Sequence, residues 1–141
     1  MRSALFSLPI LVLIATGARA SDTPHVMTWD PGCEHMMSTG YFELPPGQSV
    51  EIQLDFSSCA PEQLGDLIVY GYRLGKNSAP QLAARDNVRF TVTEQATGLT
   101  TSSDTGYLVT PLTTTGYCVL RAQNISQRKS LTVSLRSRSG L

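Results

Sequence analysis

Apolar and polar residues alternate one by one in several parts of this chain, and this period of two is typical of β-strands with one buried face. The clearest example is 50–56, where every second residue is apolar and the residues between them are polar or charged. The same alternation runs through 88–92 and 131–135. We therefore expect three strands that each turn one face to a core and the other to water.

A continuous apolar run at 67–72 lacks this alternation, and it predicts a central strand that is covered on both sides. Shorter extended segments are expected at 26–29, 106–109 and 117–122. The Ser- and Thr-rich stretch 100–105 is interpreted as a surface loop or a frayed edge.

Residues 21–141 show no helical periodicity, and turn-forming residues separate the expected strands at intervals of roughly ten to fifteen residues. Many short strands with regular turns are typical of two packed antiparallel sheets. We predict a single all-β domain over 21–141, an antiparallel β-sandwich of about seven or eight strands.

The proline- and glycine-rich connection 45–48 joins 41–44 to strand 50–56, and we expect these two segments to form a hairpin. Continued outward, the hairpin register brings Cys59 to within two residues of the position opposite Cys33. A disulfide requires a Cα–Cα distance of about 4.4–6.8 Å, which this register approaches. The prediction is a Cys33–Cys59 disulfide.

The third cysteine, Cys118, lies in the expected strand 117–122. An odd number of cysteines leaves one thiol without a partner. We expect Cys118 to be a buried free thiol.

The first twenty residues have the layout of a signal peptide. Arg2 gives a positive start, 4–15 is apolar, and Ala18-Arg19-Ala20 has the small-x-small pattern of a cleavage site. The apolar stretch is too short for a bilayer core of about 30 Å. We expect 1–20 to be removed and the protein to be periplasmic or extracellular, without a membrane anchor after cleavage, in a compartment that favours disulfides.

The charges are segregated along the chain. Loss of Arg2 and Arg19 leaves nine basic and eleven acidic residues, a net charge of −2. Segment 21–72 carries acidic residues and no Lys or Arg, whereas 105–141 carries basic residues and no Asp or Glu. Either the first and last strands lie close together and their charges offset, or an acidic face of one copy docks on a basic face of the next. Export and the low density of basic residues argue against a nucleic-acid partner.

Segments 46–52 and 88–92, a turn at Gly98, 116–120, Asn124 and a closing strand at 131–135 follow one another in this order. This order resembles that of small jelly-roll modules of the pre-peptidase C-terminal and GOLD types. In those families the domain is a non-catalytic binding or cargo-selecting accessory. The resemblance therefore implies a jelly-roll-like sandwich with a binding role.

One cluster near the start of the predicted domain has the chemistry of a metal site. It comprises His25, Met27, His35, Met36 and Met37. Thioether and imidazole ligands suit Cu(I), so copper binding or handling is an alternative function. The other interpretation is that Met27 and Met36 fill the core beside Trp29 while the histidines are solvated. Cys33 lies close to this cluster in the sequence, and a disulfide through Cys33 would remove its thiol from the set of possible copper ligands.

We do not predict an enzyme or a cofactor. The two histidines both lie near the start of the domain, and neither a Gly-x-Ser-x-Gly nor a His-Glu-x-x-His motif is present. Asn124-Ile125-Ser126 is a glycosylation sequon that matters only in a host that glycosylates.

The candidates for a recognition surface are the aromatic residues Trp29, Tyr41, Tyr70, Tyr72, Tyr107 and Tyr117. Among them, Tyr70 and Tyr72 are the candidate partner-binding residues, because residues two apart on a strand share a face. The segregated charges are further candidate contacts. Tyrosine combines a large apolar surface with a polar tip, which suits recognition. We predict an exported, non-catalytic binding or assembly module that contacts another protein or a second copy of itself. A carbohydrate is a further class of ligand that such an aromatic face would suit.

Overall fold

The computed structural model describes residues 24–29, 33–75, 80–82 and 88–139. The predicted signal peptide lies outside these residues. The described chain forms eleven strands and a single 3-10 turn at Pro61–Gln63. The strands are β1 (Val26–Trp29), β2 (His35–Thr39), β3 (Phe42–Leu44), β4 (Ser49–Asp55), β5 (Asp66–Leu74), β6 (Pro80–Leu82), β7 (Val88–Glu94), β8 (Thr100–Ser103), β9 (Tyr107–Pro111), β10 (Tyr117–Asn124) and β11 (Leu131–Ser139).

The strands form two antiparallel sheets. The larger sheet has the order β1-β2-β11-β5-β6, with β3 also paired to β11 and β9 also paired to β5. The smaller sheet has the order β4-β10-β7-β8. The path β2-β11-β5-β9 opposite β4-β10-β7-β8 is the strand order of a jelly roll. The predicted all-β, jelly-roll-like sandwich is therefore confirmed.

The strand count differs from the expected seven or eight, because β2, β6 and β8 are short strands that the periodicity does not reveal. β6 and β8 are edge strands of three and four residues. In β2, two adjacent methionines obscure the alternation, although the burial of its residues does alternate.

The core lies between the two sheets and is built from alternate residues of strands in both. In the strands that showed a period of two in the sequence, most apolar residues are buried and most polar residues are exposed or half-buried, although Val50 is half-buried and Ser134 is buried. The largest fully buried side chains include Phe56, Phe90, Leu44, Leu54, Leu67, Leu120 and Leu135.

The predicted hairpin between 41–44 and 50–56 is wrong. β3 pairs with β11 in the larger sheet, whereas β4 pairs with β10 in the smaller sheet. Gly47 has a φ of 73°, a conformation that glycine adopts without strain. Its N–H donates to the carbonyl oxygens of Asn124 and Ser126 at 3.0 and 3.1 Å. The connection is thus a corner that carries the chain from one sheet to the other.

The Cys33–Cys59 disulfide is nevertheless present, with a Cα–Cα distance of 5.0 Å. Cys33 precedes β2 of the larger sheet, and Cys59 follows β4 of the smaller sheet. The bond therefore links the two sheets at one end of the sandwich instead of closing a hairpin. Next to it, the rings of His35 and Phe56 meet edge to face at 5.1 Å. Cys118 is a buried free thiol, as predicted.

The side chain of Asn124, at the end of β10, links β3 to the turn that follows β10. It is fully buried, and its Nδ2 donates to the carbonyl oxygens of Leu44 at 2.9 Å and Lys129 at 2.7 Å. Its Oδ1 accepts from the N–H of Ser126 at 2.9 Å. Both amide protons are used inside the fold, so the sequon asparagine is not accessible to modification in the folded protein.

We expect Asn124→Ala to lower the free energy of unfolding by about 2–4 kcal/mol, because two carbonyl oxygens lose their donor and one N–H loses its acceptor. Urea unfolding followed by circular dichroism measures this. The control is Gln123→Ala, which removes a neighbouring side chain that forms no hydrogen bond within the described residues. Equal stability of the two variants would contradict this role of Asn124.

Removal of the disulfide by the double substitution Cys33→Ser and Cys59→Ser should lower the free energy of unfolding by about 3–4 kcal/mol. The expected loss comes from the sequence separation of 26 residues that the bond closes in the unfolded chain. Adding a reductant should destabilise the wild-type protein by the same amount and leave the double variant unchanged. An unaltered wild-type midpoint in the reductant would contradict this.

Candidate functional site

The outer face of the smaller sheet is polar, and several of its polar groups bond to one another. Hydroxyl pairs cross from β7 to β8 at Thr91–Ser102, 3.2 Å, and Thr93–Thr100, 3.0 Å. Arg121 on β10 donates from Nε to the hydroxyl of Ser49 at 3.2 Å. This face is that of an ordinary solvated sheet.

The outer face of the larger sheet differs, because the strand registers align apolar side chains in two rows across it. Directly paired residues in neighbouring strands share a face. The first row runs Trp29, Met36, Arg138, Ile68 and Val109 across β1, β2, β11, β5 and β9. The second row crosses the same strands at Met27, Ser38, Arg136, Tyr70 and Tyr107. We call these ten residues the two-row patch.

Much of the two-row patch is open to solvent. The exposed fractions are 59% for Trp29, 54% for Met27, 48% for Met36, 48% for Tyr107 and 42% for Val109. Single exposed apolar residues are common on soluble proteins, whereas contiguous ones mark interaction surfaces. The interpretation that Met27 and Met36 fill the core beside Trp29 is therefore wrong.

The central strand β5 has one covered face rather than two. Leu67, Val69 and Gly71 point into the core and are buried, but Ile68, Tyr70 and Tyr72 are only half-buried on the other side. Within the described residues no element packs over that outer side. The apolar run in the sequence thus supplies an outer surface that the described residues leave uncovered.

Tyr70 and Tyr72 share this outer face, as the sequence predicts. Their rings meet edge to face with centroids 6.0 Å apart. The guanidinium of Arg136 lies over the Tyr72 ring at 5.4 Å from its centroid, a cation–π geometry. Tyr72 therefore extends the two-row patch at one end, and its ring is held by neighbours on both sides.

The two arginines of the patch form no ion pair with any residue that the structure describes. Arg136 and Arg138 lie on β11 and are exposed. Neither forms an ion pair with a carboxylate in the part of the chain that the structure describes. The patch thus combines apolar surface with two uncompensated positive charges.

The five residues of the copper hypothesis do not meet at one point. His35 and Met37 turn inward and are buried, while Met27 and Met36 turn outward. The carbonyl of His25 accepts from Gly40, and this places His25 two strand positions beyond Met27 and roughly 13 Å along the strand from Met36. In the described residues no three His, Cys, Asp or Glu side chains form a group that would hold a metal ion.

The segregated charges are offset only in part. Glu51 and Arg121 lie opposite each other on β4 and β10. Glu43 on β3 accepts hydrogen bonds from the hydroxyls of Ser130 and Thr132 on the β11 side. The first and last parts of the domain are therefore neighbours, as one of the two interpretations holds, but Arg136 and Arg138 remain outside this arrangement.

The sequence offers Trp29 and Tyr107 as candidate aromatic residues and Arg136 and Arg138 as part of the basic segment 105–141, but it does not place them beside Tyr70, and it does not single out Val109. Alternation in β9 and β11 predicts that Tyr107, Val109, Arg136 and Arg138 point away from the core. It does not show which strands lie side by side. The order β1-β2-β11-β5-β9 is therefore needed to recognise one surface.

A second polar group of interest is Glu94, which is buried at the end of β7. Burial acts to raise the pKa of this carboxyl, but hydrogen bonds from the hydroxyl of Thr113 at 2.5 Å, the N–H of Thr113 at 2.7 Å and the hydroxyl of Thr97 at 3.0 Å outweigh it. The pKa lies below the ordinary 4.5. The bonds from Thr113 tie the β9–β10 connection to β7.

Cys118 lies opposite Glu94 in the β10–β7 register. Burial, with a further contribution from the charge of Glu94, raises the pKa of the Cys118 thiol to about 11. The thiolate is the reactive form of cysteine. Cys118 is therefore an unreactive core residue at neutral pH.

The folded-state pKa of Glu94 is depressed, so its contribution to stability is present above pH 4.5 and is lost as the pH falls through the folded value. We expect Glu94→Gln to be less stable than wild type at neutral pH, with a difference that shrinks below pH 4.5. Denaturant unfolding over a pH series measures this. Glu51→Gln, on the exposed face of β4, is the control for loss of one negative charge, and a Glu94→Gln difference that is constant with pH would contradict the assignment.

No helix in the described residues is long and apolar enough to cross a membrane. The inter-sheet disulfide is compatible with an oxidising, exported location. Comparison with known proteins finds no matching family model, no matching curated protein and no matching solved structure. The resemblance to pre-peptidase C-terminal and GOLD modules accordingly stays a prediction from the residues of the chain.

Proposed function

We propose that this protein is an exported, non-catalytic binding module of the periplasm or extracellular space, and that its two-row patch contacts another protein. One observation carries the proposal: contiguous apolar and aromatic side chains and two uncompensated arginines share the outer face of one sheet, whereas the other sheet is polar.

The composition of the patch is that of a recognition surface. Aromatic residues, methionine and arginine are the types enriched at protein interfaces, and a few aromatic and arginine anchors supply most of the binding energy. Covering the patch would stabilise a complex by about 25 cal/mol for each Å² of apolar surface removed from water. Trp29, Tyr70 and Tyr107 are the natural anchors.

The scaffold suits this role because the anchors lie on strands and not on loops. The side chains of Tyr70 and Tyr72 are held by each other and by Arg136. Side chains that are ordered before binding lose less conformational entropy when a partner arrives. The predicted signal peptide and the disulfide both support an exported setting, and the resemblance to jelly-roll accessory modules supports a binding role by analogy of fold.

Two tyrosines provide a matched test. Tyr107 lies in the patch and is 48% exposed, while Tyr117 lies on the smaller sheet and is 44% exposed. We replace each in turn with the photo-crosslinking residue benzoylphenylalanine and irradiate intact cells of the native host. We expect a covalent adduct with another protein from position 107 and none from position 117.

The adducts are separated by mass and identified by mass spectrometry. Replacing Trp29 by Ala in the position-107 variant should reduce the adduct, because an anchor of the same surface is lost. Absence of any protein adduct at position 107, or equal labelling from both positions, would overturn the proposed function.

A further inference from the structure

The arginines of the two-row patch restrict the chemistry of whatever covers it. Arg138 lies between the apolar side chains of Met36 and Ile68, and Arg136 lies between Ser38 and Tyr70. A partner that covers this face removes both guanidinium groups from water, which is costly unless each gains a counter-charge and hydrogen bonds. The two-row patch contains no carboxylate of its own.

The positions of Arg136 and Arg138 set the distance between the two positive charges that a partner must match. Arg136 and Arg138 are two residues apart on one strand and share its outer face, so their Cα atoms are separated by roughly 6.6 Å. Successive outward side chains of an extended peptide have the same spacing. Two carboxylates on one face of an extended segment therefore match the two guanidinium groups.

A shallow groove lies beside the arginines. Its lining includes Met27, Trp29, Met36, Tyr70, Arg136 and Arg138. The small side chain of Ser38 stands between Met27 and Arg136 in the second row, which leaves room there. Apolar side chains of a partner fit this groove, since methionine adapts its shape to irregular apolar groups.

Given the proposed function, on which this step rests, we infer that the partner is an acidic segment of a different protein. It places carboxylates on Arg136 and Arg138 and apolar side chains in the groove beside them. Carboxylate–guanidinium pairs are strong when bidentate and formed away from water, so they give the contact its specificity.

A second copy of this chain matches the patch less well. In a two-fold contact, the same surface appears on both sides, so Arg136 and Arg138 of both copies would meet with like charge. The patch of a second copy offers these arginines no carboxylate. The nearest ones in the β2 and β5 registers belong to Glu34 and Asp66, and each lies two residues beyond the first row, outside the two-row patch. An anionic glycan would also place negative charge on the two arginines and sugar rings on the aromatic side chains, so it is kept as an outcome of the test.

The test begins from the position-107 crosslink. The adduct is digested, the attached segment of the partner is sequenced, and that segment is synthesised as a fluorescent peptide. We expect it to contain at least two Asp or Glu residues among apolar ones. Binding of this peptide to the whole purified protein is measured by fluorescence anisotropy at several salt concentrations, and the affinity should fall as salt rises.

Charge variants then test the arginines directly. Arg138→Glu should weaken binding by about tenfold or more, and Arg138→Lys should weaken it less, because the charge is kept although the bidentate geometry is lost. Arg138 is exposed and forms no hydrogen bond, ion pair or ring contact within the described residues, so this variant is expected to fold. The matched control is Arg121→Glu on the smaller sheet, which should leave binding unchanged. Adding Arg136→Glu to Arg138→Glu should weaken binding further, with folding confirmed by circular dichroism.

The outcomes separate the two proposals. A crosslinked segment without acidic residues, an adduct with a second copy of this chain, or equal effects of Arg138→Glu and Arg121→Glu would overturn the acidic-segment inference and leave the patch as a protein-binding face. An adduct with a glycan alone, or no adduct at position 107, would overturn both.

Discussion

The burial of one face of β11 against the smaller sheet is the constraint on which the rest of this molecule depends. β11 is the strand that β2, β3 and β5 all pair with, and its inward residues Leu131, Val133 and Leu135 are held in the core. Because side chains alternate along a strand, this burial forces Arg136 and Arg138 to the opposite face. A shift of register by one residue would bury both guanidinium groups, so the same packing that stabilises the fold determines the chemistry of its outer surface.

The two sheets are held in place by a small number of polar and covalent links at their ends. The side-chain amide of Asn124 donates hydrogen bonds to carbonyl oxygens of β3 and of the turn after β10. The carboxylate of Glu94 accepts hydrogen bonds from Thr113, and these bonds tie the β9–β10 connection to β7. The Cys33–Cys59 bond joins the larger sheet to the smaller one. These links lie away from the two-row patch. Most side chains on the outer face of the larger sheet therefore take no part in joining the two sheets, and this face is available to the proposed partner.

The proposed role follows from the asymmetry of the two outer faces. The smaller sheet presents hydroxyl pairs and charged residues that need no partner, whereas the larger sheet presents aromatic, thioether and guanidinium groups that gain stability when they are covered. A rigid sheet that presents such a face has the properties of a binding module. Because Arg136 and Arg138 form no ion pair within the described residues, the inferred partner brings negative charge to them, since burying them alone would be unfavourable.

The sequence by itself determined the fold class, most of the strands and the buried state of Cys118, because strand periodicity and turn residues are local properties of the chain. The disulfide partners were predicted correctly, but from a hairpin register that the structure contradicts. The sequence also determined that Tyr70 and Tyr72 share a face. The hairpin failed because a Pro-Pro-Gly corner and a hairpin turn look alike until the partners of β3 and β4 are known. The copper hypothesis failed, and the two-row patch could not be predicted, for the same reason. Residues close in sequence were divided between two faces of a sheet, and residues from five strands were brought together by a strand order that only the tertiary structure decided.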